Sequence, residues 1–157
     1  MTPLHSQAAI EAAHSTTTIH ATKRGGFQCL IVAGCPQRRA QLSRAATDGG
    51  WQSLVCADLD EAWDCAERFL LHLAIVDWQG QEQPPAPALD RLVEQLVRHD
   101  GLLLILCGNE GRPREEIWAR QRGIWLYLPG VTPTSDMTTL CGEALEIVQR
   151  LPRVPAR

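Results

Sequence analysis

Apolar residues along this chain gather in two kinds of pattern. Short, mainly apolar runs occur at Phe27 to Val32, Trp51 to Ala57, Leu70 to Asp77, Leu102 to Cys107 and Ile124 to Leu128. Runs of this length, rich in branched side chains, suit strands buried on both faces, as in parallel sheets covered by helices. Between them apolar positions recur at three- and four-residue spacing, which lays one stripe along a helix. The spacing predicts a helix opening at Pro36 and stopping near Thr47, and another that turns Ala62, Ala66 and Phe69 inward. It predicts a third over Ala88 to His99, where Leu89, Leu92, Val93, Leu96 and Val97 form the clearest stripe of the chain. A short helix over Pro113 to Arg122 follows, and a closing one carries Met137, Leu140, Cys141, Ala144, Leu145 and Val148 to about Leu151. The punctuation agrees: Pro36 suits a first helical position, Asp58-Leu59-Asp60 a cap, and Asp48-Gly49-Gly50 and Asp100-Gly101 are stops.

Strand and helix therefore alternate five times. Right-handed crossovers then place helices on both faces of a doubly wound parallel sheet, an α/β fold for which five strands favour the flavodoxin-like order 2-1-3-4-5. The third strand, Leu70 to Asp77, is a mainly apolar run that ends on a carboxylate, Asp77. In such sheets the carboxyl ends of the strands form the ligand edge. The predicted order puts Ala33-Gly34-Cys35 on one side of Asp77 and Cys107 on the other. The loop after it, Gln79 to Pro87, holds three prolines and one glycine and reads as irregular.

Composition narrows the reading. A chain of 157 residues, 45% hydrophobic, is long enough for one core, so a single domain over residues 27–151 is expected. Residues 1–26, with a short helix around Gln7 to Ala13 and with His5, His14 and His20, read as an exposed N-terminal extension, and 152–157 as a tail. Net charge is −3, and of 15 basic residues only Lys23 is a lysine. With arginines scattered rather than striped, nucleic-acid binding is not indicated, and Arg38-Arg39 and Arg112 with Arg114 read as solvated helix faces. The six cysteines show no metal-site spacing, so no metal or other cofactor is expected. No run approaches a membrane span and no secretory leader is evident, which makes the cytoplasm the expected compartment.

On the alternation, the element lengths and the place of Asp77, residues 27–151 resemble the receiver domain of bacterial response regulators, the CheY-like proteins of two-component phosphorelays. In that family the third-strand aspartate is phosphorylated, an acidic pair after the first strand holds Mg²⁺, a Thr or Ser ends the fourth strand and a Lys-Pro follows in the fifth. By this resemblance Asp77 fills the phosphoacceptor position, and Pro36 and Pro129 match two family prolines. The acidic pair falls on Ala33 and Gly34, the hydroxyl on Cys107 and the lysine on Leu128. No shift of register restores them, because no Asp or Glu lies between Glu11 and Asp48 and the one lysine precedes the first strand. The barrier to phosphoryl transfer onto a carboxylate is lowered mainly by positioning and by cations that neutralise developing charge. The resemblance thus implies a degenerate pseudo-receiver, not an enzyme, in which Asp77 is more simply a carboxylate accepting backbone N–H groups.

Other residues at this edge carry expectations. Cys35 and Cys107 could meet beside Asp77 as a redox or soft-metal pair, though adjacent strand ends more readily leave the sulfurs apart. Trp78, just past the strand end, is expected to be partly exposed at the rim; buried, it would be a lid over Asp77. Trp78, Trp118 and Trp125 suit a protein interface if exposed, and Trp118 and Trp125 are ordinary core if not. The face the resemblance implies for a protein partner, or for a homodimer, is helix 4, strand 5 and helix 5, here Pro113 to Leu151. The alternative class, a small flavodoxin-like enzyme or cofactor binder, is disfavoured because Ala33-Gly34-Cys35-Pro36-Gln37 has no glycine-rich or Ser/Thr-rich phosphate cradle.

Overall fold

The computed structural model describes residues 18–19, 26–80 and 87–152. Five parallel strands lie side by side: β2 (Gln28–Val32), β3 (Gln52–Cys56), β4 (Leu73–Asp77), β5 (Leu103–Gly108) and β6 (Leu126–Pro129). Counted alone they run in the order 2-1-3-4-5, as the alternation predicts. A two-residue strand, β1 (Thr18–Ile19), adds antiparallel to the free edge of β3, with Thr18 opposite Val55 and Ile19 opposite Leu54. It falls inside the segment expected to be an exposed arm. The Gln7 to Ala13 helix, the three N-terminal histidines and residues 153–157 lie outside the described residues.

Five helices cover the sheet: α1 (Pro36–Asp48), α2 (Leu59–Arg68), α3 (Pro87–Val97), α4 (Pro113–Gln121) and α5 (Thr134–Arg150). They divide the core into two. On one face α2, α3 and α4 bury Leu30, Val32, Ala74, Val76, Leu104 and Leu106. On the other, α1 and α5 bury Cys29, Ile31, Leu73, Ile75, Ile105 and Cys107. Successive strand residues alternate between these cores, so the central strands are apolar throughout. At the end of α1, Gly49 permits close approach to α5: a Cβ there would stand 2.6 Å from that of Cys141. Trp51 fastens the same junction by donating its indole N–H to the Cys141 carbonyl at 2.8 Å.

Two predicted strand starts move by two residues or more. Residues 70–72 precede β4 rather than belonging to it, because Leu70 turns outward, 71% exposed, while Leu71 packs into the core without joining the strand. β6 begins at Leu126 instead of Ile124, since the Ile124 N–H is taken by the Ala119 carbonyl at the end of α4.

Candidate functional site

Strand register fixes the row on which the site is built. Val32 pairs with Val76, Asp77 with Cys107 and Cys107 with Leu128, so Ala33, Asp77, Cys107 and Leu128 stand abreast at the carboxyl edge. All four lie on the α1/α5 face. Ala33 and Cys107 are fully buried, Leu128 is half-buried, and Gly34 and Cys35 reach solvent. Trp78, next along the chain, belongs to the opposite core.

The side chain that meets Asp77 is Arg38. Pro36 starts α1 immediately beyond β2, and the third residue of that helix swings over the strand ends. Arg38 Nε stands 3.6 Å from Asp77 Oδ2, with the two side chains only 14% and 5% exposed. At that length the contact is an ion pair rather than a hydrogen bond. Arg38 Nε and Nη2 are buried without a hydrogen-bond acceptor among the described residues. Arg39 turns back as well, donating from Nη1 to the Ala33 carbonyl at 3.0 Å. The expectation that Arg38 and Arg39 form a solvated face is therefore corrected. The pairing was invisible in sequence because it joins residues from different elements; the available signal was a basic residue in a helix turn that holds no acid.

Asp77 Oδ1 accepts the Gln79 N–H at 3.3 Å, in line with the simpler reading of this carboxylate. Burial raises the Asp77 pKa above the ordinary carboxylate value, and the Arg38 charge and the Gln79 N–H offset only part of that rise. Beneath it the Cys107 thiol is pushed up to about 12, chiefly by burial and then by Asp77 itself. A thiol held protonated is a poor nucleophile and a poor metal ligand. Cys35 faces solvent and gives its thiol to Gln37 Oε1 at 3.2 Å. Both cysteines are free, one outside and one inside, so they form no bonded pair.

Trp78 is buried, 7% exposed, which corrects the expectation of a rim residue. Its backbone explains why: the Trp78 N–H continues the ladder to the Cys107 carbonyl at 2.8 Å, which turns the indole to the α2/α3/α4 face. It is therefore no lid over Asp77 either. Trp118 is half-buried and donates to Asp90 Oδ1 at 3.2 Å, whereas Trp125 is exposed. Sequence reasoning missed a second group, Asn109, Glu115 and Tyr127. Glu115, in the first turn of α4, is 1% exposed and accepts the Asn109 N–H at 2.7 Å and the Tyr127 hydroxyl at 2.9 Å.

No family model matches the chain, and no curated protein matches it in sequence. Solved structures do. A CheY-like receiver domain protein from Methanospirillum hungatei is similar with a TM-score of 0.66 at 16% identity, over 79% of this chain and 97% of that one. A response regulator from Burkholderia multivorans gives 0.62 at 18% identity, over 83% and 99%. The chemotaxis response regulator CheY4 of Vibrio cholerae gives 0.63 at 16% identity, over 76% and 98%. The fold is that of a response-regulator receiver domain. At these identities the likeness carries the architecture and nothing of the activity.

The ion implied by the family resemblance is Mg²⁺, which requires hard oxygen ligands in octahedral array, commonly from more than one carboxylate. Here Asp77 is the sole carboxylate of the row, and its Oδ2 already faces a guanidinium. No three His, Cys, Asp or Glu side chains among the described residues are grouped to hold a metal. The residues present do not fit the ion. Space is not the obstacle, since a Cβ at Gly34 would meet nothing within 4 Å. What is lacking is charge.

Proposed function

We propose that this chain acts in bacterial signal transduction as a receiver-fold interaction module that is not switched by Mg²⁺-dependent phosphorylation of Asp77. The Arg38–Asp77 ion pair carries this reading. A covalently attached cation occupies the electrostatic role a divalent ion would take, and because it cannot leave, the pocket does not alternate between metal-bound and metal-free states. A signalling element needs two states of different affinity for its partner, and with a fixed counter-ion the surface is presented constitutively. The partner is a protein, either a signalling protein or a second copy, met in the cytoplasm through α4, β6 and α5. Ile117 and Trp125 on this face are 54% and 37% exposed. No helix among the described residues is long and apolar enough to cross a membrane. The module has no turnover.

Metal titration tests the reading. Backbone amide signals of Asp77, Trp78 and Gln79 are expected to stay unmoved as Mg²⁺ is added to the wild-type chain. A saturable shift confined to these residues would show that a metal site exists and would sink the proposal. A flavin or nucleotide carried through purification would do the same by favouring a cofactor binder.

A further inference from the structure

Glu115 is a buried charged residue that the Asp77 pocket does not use. Its carboxylate reaches back from the first turn of α4 to the end of β5. Oε1 accepts the Asn109 N–H at 2.7 Å and the Tyr127 hydroxyl at 2.9 Å, while Oε2 accepts from Asn109 Nδ2 at 3.2 Å. Asn109 extends the chain of bonds in the other direction. Its Oδ1 accepts the Gly80 N–H at 2.7 Å, and Nδ2 also donates to the Trp78 carbonyl at 3.4 Å. Residues 78–80 follow Asp77 directly, so the loop that leaves the site is joined through Asn109 and Glu115 to Tyr127 on β6. Gln79 adds a parallel tie by donating from Nε2 to the Gly130 carbonyl.

The backbone is shaped to admit this carboxylate. A Cβ on Gly108 would stand 2.2 Å from Glu115 Oε1 and 2.4 Å from the Tyr127 hydroxyl oxygen. Only glycine leaves that space. Charge-assisted bonds buried this deeply are stronger than neutral ones, and each member of such a network holds its neighbours in place.

We propose that Glu115 is a positioning residue: its carboxylate locks the loop after Asp77, the β5–α4 turn and β6 into one arrangement, and so fixes the face that carries Ile117 and Trp125. This rests on the reading of a constitutively presented face. Its test is independent of Asp77 chemistry, because it reads motion in the unmodified chain.

Wild-type protein should show no microsecond-to-millisecond relaxation dispersion at Gly80, Asn109, Ile117, Trp125 or Tyr127, and slow deuterium exchange at the Asn109 amide. Glu115→Gln leaves one acceptor oxygen where at least three donors converge. Exchange at both Asn109 and Gly80 should then quicken by about tenfold or more, with dispersion at all five residues described by one shared rate. Tyr127→Phe removes one donor and leaves the Glu115 carboxylate in place, and should give the same signature in weaker form. A role limited to local packing would quicken Asn109 alone, hold Gly80 within about twofold and yield no shared rate. That result, or dispersion already present in the wild type, overturns the proposal. If Glu115→Gln fails to fold, the Tyr127→Phe measurement decides by the same criteria.

Discussion

Arg38 stands at the positive end of α1, a place where a cation is unfavourable unless an anion lies close. Asp77 supplies that anion, and each of the two is costly without the other. Arg38→Ala should therefore destabilise the fold by about 2–3 kcal/mol, the range for removing one partner of a shielded charge pair at modest contact distance. Denaturant unfolding of Arg38→Ala, Asp77→Asn and the double variant checks this, since the paired losses should be far from additive. The pH dependence has a definite sign. Because burial holds the Asp77 pKa above its unfolded value, the folded chain binds that proton more tightly than the unfolded one. Stability contributed by the protonated form is thus full below the unfolded pKa and is lost as pH rises through the raised folded value. Relative to Asp77→Asn, the wild type should weaken from about pH 4 upward and then level off. A wild type that gains on Asp77→Asn across that window would mean that Arg38 outweighs burial.

Among the elements, the strands were legible because burial on both faces leaves a continuous apolar signature. Their ends were less so. Leu70 extends the apolar run of β4 yet points to solvent, and a run cannot reveal which of its members joins the ladder. α2 was legible from its cap: Asp58 accepts the Glu61 N–H at 2.9 Å, and Asp60 and Glu61 occupy the positive first turn. Asp58→Ala should cost about 1 kcal/mol, read as a lowered unfolding midpoint with unchanged denaturant slope. α4 shows the opposite case. A glutamate in a helix's first turn ordinarily suggests local capping, and only the fold reveals that Glu115 turns instead toward Asn109 and Tyr127. Trp78 was misplaced for a similar reason, because the β4 ladder runs one residue beyond Asp77 and selects the face on which the indole lies.

At the scale of the whole molecule, strand order brought Ala33, Asp77, Cys107 and Leu128 into one row, in which the alternation of elements implied Ala33 and Cys107 beside Asp77 and the family resemblance implied Leu128. The absence of a second carboxylate and of a lysine could be read without any structure, since neither occurs in the relevant stretches of chain. The Arg38–Asp77 contact could not, because the two residues are brought together only when α1 packs over the carboxyl edge. The proposed function stands or falls on whether Asp77, beside the Arg38 guanidinium, accepts a phosphoryl group. Incubation with a small-molecule phosphodonor and Mg²⁺, followed by mass measurement of the intact chain and of the peptide containing Asp77, addresses that directly. The account predicts an unmodified chain at all phosphodonor concentrations. Persistent, Mg²⁺-dependent phosphorylation of Asp77 would contradict it.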